Sequence, residues 1–421
     1  MLPRTLSFLA PVFALTVTLS AQTQVWTPAQ IVYKGAPQYQ TADLDKVLAL
    51  KLGGQLGTAD VDPALQRLAD TGLFADIRYT IDNRAIVFTL TPQPDSAMLP
   101  AIYSNFVLFQ PGELTPLVHA RVPLFNGKIP AAGNLQQSVQ DALTAILKEK
   151  GLADAAVDSL ASAGGMVFSI TNPAVQVRSL QVEGVSPIAQ AKVAEVQKAI
   201  ADSDYEHGSE DAARKRLEDA YKDLAFLDVA IDPPTRSAPA VTPGKILVDL
   251  TTGAHEGAQY HLARLELPVT SIVPAADLEK AATLKPGDLA TRIELLATAS
   301  RVDRQFTRHG YMDAKFSATT TKDTSAHTVV YTLSVVPGEQ FHLASVKTLN
   351  LTPEQQRDFD SAWKLRPGDP YDEDYVATFL KQNRNLKSLT GYSATYKQAA
   401  HLDTHEVDLT LTFVKGGSLT Q

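Results

Sequence analysis

The chain has 421 residues, 44% of them apolar and 20% charged, with no cysteine and a formal net charge of −8. One hydrophobic core stops growing at roughly 250 to 300 residues, so this length calls for several domains, and the missing cysteines exclude a disulfide framework and thiol chemistry. An acidic chain without a concentrated Lys/Arg face lacks the electrostatic footprint that phosphate backbones require, which argues against nucleic-acid partners.

The chain opens with MLPRTLSFLAPVFALTVTLSAQTQ, in which Arg4 precedes an apolar run (6–19) and the small residues Ser20 and Ala21 precede Gln22. This is the pattern of a secretory signal peptide, residues 1–21, cleaved between Ala21 and Gln22. The run is shorter than the ~20 residues that span a bilayer and contains Pro11. Export without cysteine points to a bacterial periplasm, with no membrane span in the mature chain.

After a lead at 22–29, one pattern recurs five times. It begins with a short strand: IVYKG at Ile31, YSNFVLF at Tyr103, VRSLQVEG at Val177, YHLARLEL at Tyr260 and FHLASVKTL at Phe341. A first helical stretch follows, led by Asp43, Asp277 or Asp358 in the clearest copies. It is stopped by KLGGQL, LKPGD (284–288) or LRPGD (365–369). Pro286 and Pro367 cannot continue a helix and Gly287 and Gly368 take the turn, so Asp288 and Asp369 read as turn or capping residues and not as catalytic acids.

The second helix then carries an apolar stripe. In the first copy Asp62 is the expected cap, Pro63 lies in the first turn, Leu65 and Leu68 face inward and Gly72 ends the helix. In the fourth the stripe is Leu295, Ala299, Val302 and Phe306 before Gly310, with His309 a cation at the helix C-terminus. In the fifth it is Val376, Phe379, Asn383 and Leu386 before Gly391. The third copy lacks a closing glycine (DLAFLDVAI, 223–231), and its charged run 209–223 reads as a solvated helix face.

Two strands close each copy. The first of them is LFADIRYTI (73–81), YMDAKFSAT (311–319) or YSATYKQ (392–398). The last strand alternates with period two: Ile86, Phe88, Leu90; Met166, Phe168, Ile170; Ile246, Val248, Leu250; Val329, Tyr331, Leu333, Val335; Val407, Leu409, Leu411, Phe413. One face is buried and the other wet. Pro92, Pro173, Gly253, Pro337 and Gly416 follow as expected repeat ends. The Pro-rich 232–244 reads as a mobile insertion, and the connection 92–100 as a bendable one.

These elements predict an α+β chain: a tandem array of five β-α-α-β-β domains, each a three-stranded mixed sheet with two helices on one face. The expected bounds are 30–95, 101–174, 175–256, 257–338 and 339–415, with a tail at 416–421.

The element order, the breakers LKPGD and LRPGD and the closing TGLFADIRYTI resemble POTRA domains, the polypeptide-transport-associated modules that precede the membrane barrel in outer-membrane protein assembly factors. The resemblance implies a non-catalytic periplasmic scaffold, peripheral at the outer membrane, whose partners are outer-membrane protein precursors or a separately encoded barrel. Past Lys415 the sequence runs only to Gln421, too short for a barrel of eight strands, so a POTRA array without a barrel is expected.

A three-stranded sheet leaves two strands with unpaired backbone edges, which accept an extended peptide by strand addition. The strand after each second helix is the candidate edge: Ile77, Tyr79 and Ile81; Ala314, Phe316 and Ala318; Ala394 and Tyr396. No metal, cofactor or catalytic motif is present: HLDTH (401–405) lacks the Glu of a zinc protease and sits before a strand. The alternatives are an interaction module for envelope architecture or cell division, and an enzyme with a site between domains.

Overall fold

The structure, a computed structural model, describes residues 25–82, 84–382 and 386–416. The expected signal segment with its Ala21–Gln22 scission, Asn383 of the fifth stripe and the tail beyond Gly416 lie outside the described residues. The chain divides into two compact units. One runs to Arg178 and adds Asp202–His207 and Ser237–Asp249; the other holds Ser179–Ala201, Gly208–Arg236 and the chain from Leu250 onward.

The first unit opens with β1 (Val25–Trp26), β2 (Gln30–Lys34), α1 (Thr41–Leu48), β3 (Leu56–Gly57), α2 (Thr58–Asp70), β4 (Phe74–Ile81) and β5 (Ala85–Pro92). It continues with β6 (Met98–Tyr103), α3 (Leu114–His119), β7 (Lys128–Pro130), α4 (Leu135–Glu149), β8 (Ala156–Ser162) and β9 (Gly165–Asn172). A third set follows: β10 (Ala174–Glu183), α5 (Gln190–Ile200), α6 (Ser209–Lys222), β11 (Ala230–Ile231), β12 (Thr235–Arg236), β13 (Ala240–Thr242) and β14 (Lys245–His255). The second unit then holds β15 (His261–Glu266), α7 (Ala275–Ala281), α8 (Arg292–Thr307), β16 (Lys315–Asp323) and β17 (Thr328–Val336). It ends with β18 (His342–Leu349), α9 (Pro353–Ala362), α10 (Glu373–Gln382), β19 (Tyr392–His401) and β20 (Glu406–Lys415).

The fold is α+β with several mixed sheets. Their strand orders are β2-β5-β4, β7-β6-β9-β8, β10-β14-β11 with β12 and β13 also on β14, β15-β17-β16, and β18-β20-β19. In the three-stranded sheets the last strand is central, parallel to the first and antiparallel to the second. The helices supply the crossover that a parallel pair needs, and a short turn supplies the antiparallel pair. In the fourth sheet Val329, Tyr331 and Leu333 are buried, as are Leu278 of α7 and Val302 and Phe306 of α8, whereas Ser334 on the other face is exposed. In the fifth, Val407, Leu409, Leu411 and Phe413 pack with Phe359, Trp363 and Val376.

Several local expectations change. α2 starts at Thr58, and Asp60 accepts the Gly57 N–H at 2.8 Å, so Asp62 lies past the cap and Pro63 in the second turn. The buried stripe is Val61, Ala64 and Leu68, with Leu65 half-buried. Asp43 sits inside α1, buried against His119 at 3.2 Å, and Asp358 sits inside α9, which Thr352 caps through Gln355. The second leading strand ends at Tyr103, the residue expected to begin it, because Phe106, Val107 and Phe109 are buried in the following loop. Its start, Met98–Pro100, is paired with Pro130–Lys128, so the connection 92–100 is partly fixed. Gly253 is no repeat end. It lies inside β14, where an added Cβ would come within 2.4 Å of the Asp232 carboxylate.

The Pro-rich insertion is also paired. Thr235 and Arg236 face Thr251 and Leu250, and Ala240–Thr242 face Leu247–Lys245, making a second strand broken by its prolines. The missing closing glycine of that copy has a replacement: Ala225 takes φ +66°, and Phe226 N–H donates to the Tyr221 carbonyl at 3.1 Å, as Tyr311 N–H does to Phe306 past Gly310. Both are helix-ending left-handed turns.

The doubled breaker has a physical explanation. Asp288 accepts the Lys285 N–H at 2.8 Å and Asp369 accepts the Arg366 N–H at 2.7 Å, which fixes each as a turn residue. Gly287 (φ +92°) and Gly368 (φ +93°) turn the chain, and their N–H groups donate to Leu262 and Leu343 of the first strands, each at 2.8 Å. The motif stops a helix and delivers backbone to a sheet edge.

Candidate functional site

That delivery decides which edges are open. In the fourth sheet Leu262 N–H donates to the Asp288 carbonyl and Ala290 N–H to Tyr260, at 2.8 and 2.9 Å. In the fifth, Leu343 donates to Asp369 and Tyr371 to Phe341, both at 2.9 Å. The same closure occurs as β3 on β1, as β7 on β6, and as Asp204 on Gln176. In the second to fifth copies the segment between the two helices thus occupies the outer edge at the start of the first strand, whereas in the first copy it pairs with β1, ahead of β2. The seal stops at a bulge: register shifts between Leu262 and Arg264 and between Leu343 and Ser345. A bulge turns the strand and ends the pairing.

The second strands differ. Among the described residues β4, β8, β16 and β19 each pair on one side only. An edge strand carries outward N–H and C=O groups at alternate residues, which bind a further strand without reading its side chains. The third sheet is the exception, since its outer edge is the proline-broken β11, β12 and β13, and proline removes donors.

The candidate residues fall on these strands. Ile77, Tyr79 and Ile81 are half-buried in β4 opposite Leu90, Phe88 and Ile86. Phe316 is half-buried opposite Val335, Ala318 is exposed opposite Leu333, and Ala314 immediately precedes β16. Ala394 and Tyr396 are half-buried opposite Phe413 and Leu411. Ile77, Tyr79, Ile81, Ala318, Ala394 and Tyr396 are paired with core positions and Phe316 with the half-buried Val335, so they rim the core. Tyr79 donates to Asp62 at 3.1 Å, the Phe316 ring lies 5.3 Å from Phe306, and burial is the main cause that raises the Tyr396 hydroxyl pKa. Sequence reasoning missed β8, where Leu160 is 75% exposed, because no closing glycine was assigned there; Gly151 (φ +94°) is that residue.

No constellation of catalytic type stands out at these edges. Among the described residues no group of three His, Cys, Asp or Glu side chains is placed to hold a metal ion, and no helix is long and apolar enough to cross a membrane. His401 pairs with Asp408 at 3.0 Å, and His405 occupies a hairpin turn at φ +54°. His309 Nδ1 meets the Gln305 carbonyl at 2.7 Å. A polar hollow of about 350 Å³ near Tyr39 and Asn126 contains Asp95, already paired with Lys128 at 2.9 Å.

No family model matches the chain, and no curated protein does. Solved structures do. BamA POTRA3-5 of Haemophilus influenzae is 16% identical, with 57% of this chain and 96% of that one covered and a TM-score of 0.40. POTRA1-3 of the Omp85 periplasmic domain from Anabaena is 17% identical, with 59% and 98% covered and a TM-score of 0.26. CdiB from Escherichia coli is 14% identical, with 56% and 36% covered and a TM-score of 0.21. The first two bear the name of the family that the residue order resembles.

Proposed function

We propose that the chain is a non-catalytic periplasmic scaffold that holds extended or partly unfolded outer-membrane protein clients, or a barrel-assembly partner, by β-strand addition. In this reading each sheet with its two helices is one POTRA-like domain, with bounds 30–95, 101–174, 175–256, 257–338 and 339–415. The carrying observation is the asymmetry of the edges. The first strands β6, β10, β15 and β18 are sealed at their starts by the chain's own inter-helix segments, while among the described residues the second strands β4, β8, β16 and β19 have no partner on their outer side. Main-chain pairing gives sequence-tolerant, weak binding, and repetition along one chain supplies avidity.

The test places a photo-crosslinking residue at Ala318 and Ala394 on the open edges and at His261 and His342 on the sealed starts, in intact envelopes. Adducts with unfolded outer-membrane proteins or a barrel partner, at the open positions only, support the proposal. Adducts only with septal or peptidoglycan proteins, or equal labelling of sealed and open positions, overturn it in favour of an envelope-architecture or division module.

A further inference from the structure

The second unit contains two successive junctions between repeats, and both are built from the same parts. Gln259 donates its side-chain amide to the Leu224 carbonyl at 2.8 Å, and Gln340 donates to the His309 carbonyl at 2.8 Å. Tyr260 N–H donates to the Ala225 carbonyl at 2.9 Å, and Phe341 N–H donates to the Gly310 carbonyl at 2.8 Å. Gly257 packs against Asp228, and Gly338 packs against Asp313. Each junction also has an ion pair between helix ends: Arg292 with Asp223 at 2.9 Å in the first, and Arg308 with Asp374 at 2.9 Å in the second.

Against this common frame one difference stands out. In the first junction the Tyr260 hydroxyl donates to Asp228, and the Lys322 ammonium pairs with the same carboxylate. Lys322 also reaches the Leu227 carbonyl at 3.4 Å and lies 6.0 Å from the centre of the Tyr260 ring. Lys322 belongs to β16 and is paired with Val329, so the connection ties the hairpin end of one sheet to the loop leaving the preceding helix. In the second junction the corresponding positions are Asp313, Phe341 and Ala400, the last paired with Val407. A phenyl ring and a methyl group offer neither a hydroxyl nor a cation, so the carboxylate there has no counterpart of either bond.

We propose that Asp228, Tyr260 and Lys322 form a latch that holds the 260 junction stiff, and that the otherwise equivalent 341 junction, which lacks it, is where this part of the chain bends. The shared attachments, with Asp374 of the second junction also 3.6 Å from Arg304, all lie at the helix ends and permit rotation about the backbone clamp; a further attachment from the hairpin end removes that freedom. The bonds to Asp228 are charge-assisted, the stronger kind, and although Asp228 and Lys322 are exposed, Tyr260 is fully buried and anchors the carboxylate to the core.

The parent chain has no cysteine, so introduced pairs can be labelled cleanly. Ala194 and Ser300 flank the 260 junction, and Ser300 and Ser361 flank the 341 junction; all three are exposed. Spin labels on Ala194→Cys/Ser300→Cys and on Ser300→Cys/Ser361→Cys report the distance distribution across each junction in the full chain. The expected result is a narrow distribution across the first and a broad one across the second. Lys322→Met broadens the first to match the second, and Phe341→Tyr with Ala400→Lys narrows the second. Equal widths in the parent chain, an unchanged first distribution in Lys322→Met, or an unchanged second in the Phe341→Tyr/Ala400→Lys chain overturns the latch. Retention of circular dichroism and cooperative melting in each variant separates loss of the latch from loss of the fold.

Discussion

The Gln340 side-chain amide donates to the His309 carbonyl at 2.8 Å, so the residue that opens one repeat satisfies the helix end of the one before it. The His309 carbonyl lies just past the end of α8, in the turn that leads out of the helix, and the bond ties that turn to the next repeat. Gln340→Ala is expected to cost about 1 kcal/mol, the net worth of one such bond. Urea unfolding followed by hydrogen exchange checks it: protection should fall first at Gly310 and Phe341, and a loss spread evenly over the fifth sheet would contradict the assignment.

The helix-ending positions behave differently by surroundings. At Gly310 (φ +85°) an added Cβ would meet the Phe341 carbonyl oxygen at 2.4 Å, whereas at Gly391 (φ +81°) nothing lies within 4 Å. Gly391→Ala should therefore cost only the left-handed backbone term, roughly 1–2 kcal/mol, and Gly310→Ala clearly more than about 2 kcal/mol. Ala225 already carries that backbone term at φ +66°. Ala225→Gly relieves that term but adds unfolded-state entropy and removes a fully buried methyl, so stability should change by less than about 1 kcal/mol. Urea midpoints of the three variants test the order.

Asp228 titrates below the ordinary aspartate value, chiefly because Lys322 and then Tyr260 hydrogen-bond its charged form, and Tyr260 is pushed up to about 12 by the same bond. A depressed carboxylate pKa contributes stability that is complete above the unfolded-state value near 3.9 and is lost as pH falls through the folded-state value. Carboxyl-carbon NMR should show Asp228 titrating below free aspartate in the parent and shifting upward in Lys322→Met. An unshifted Asp228 in both chains would mean that neither bond stabilises its charged form.

Phe359 is 2% exposed, with ring centroids 5.2 Å from Trp363, 5.5 Å from Phe379 and 6.0 Å from Phe413. Truncation leaves a hole that the stacked Trp363 ring and the strand beneath cannot fill. Phe359→Ala should cost about 3–5 kcal/mol. Tryptophan fluorescence of Trp363 should report the loss at the fifth sheet while Trp26 fluorescence is unchanged.

The sequence by itself determined the repeat and its elements, because the physics it encodes is local. Alternation at Val407, Leu409, Leu411 and Phe413 can bury only one strand face, and Pro367-Gly368 can only stop a helix and turn. The start of α2 is misleading in the sequence because Asp62-Pro63 mimics a cap, and Asp60 competes for that role through a bond that only the folded turn reveals. The open edges were half legible. Alternation marks β16 as a strand, but nothing local says that Asp288 and Ala290 come back to close β15, so which edge stays free was decided by a contact between residues far apart in the chain. The same holds for Lys322 and Asp228: each is an ordinary surface charge in the sequence, and only the packing of one sheet against the preceding loop makes them a pair.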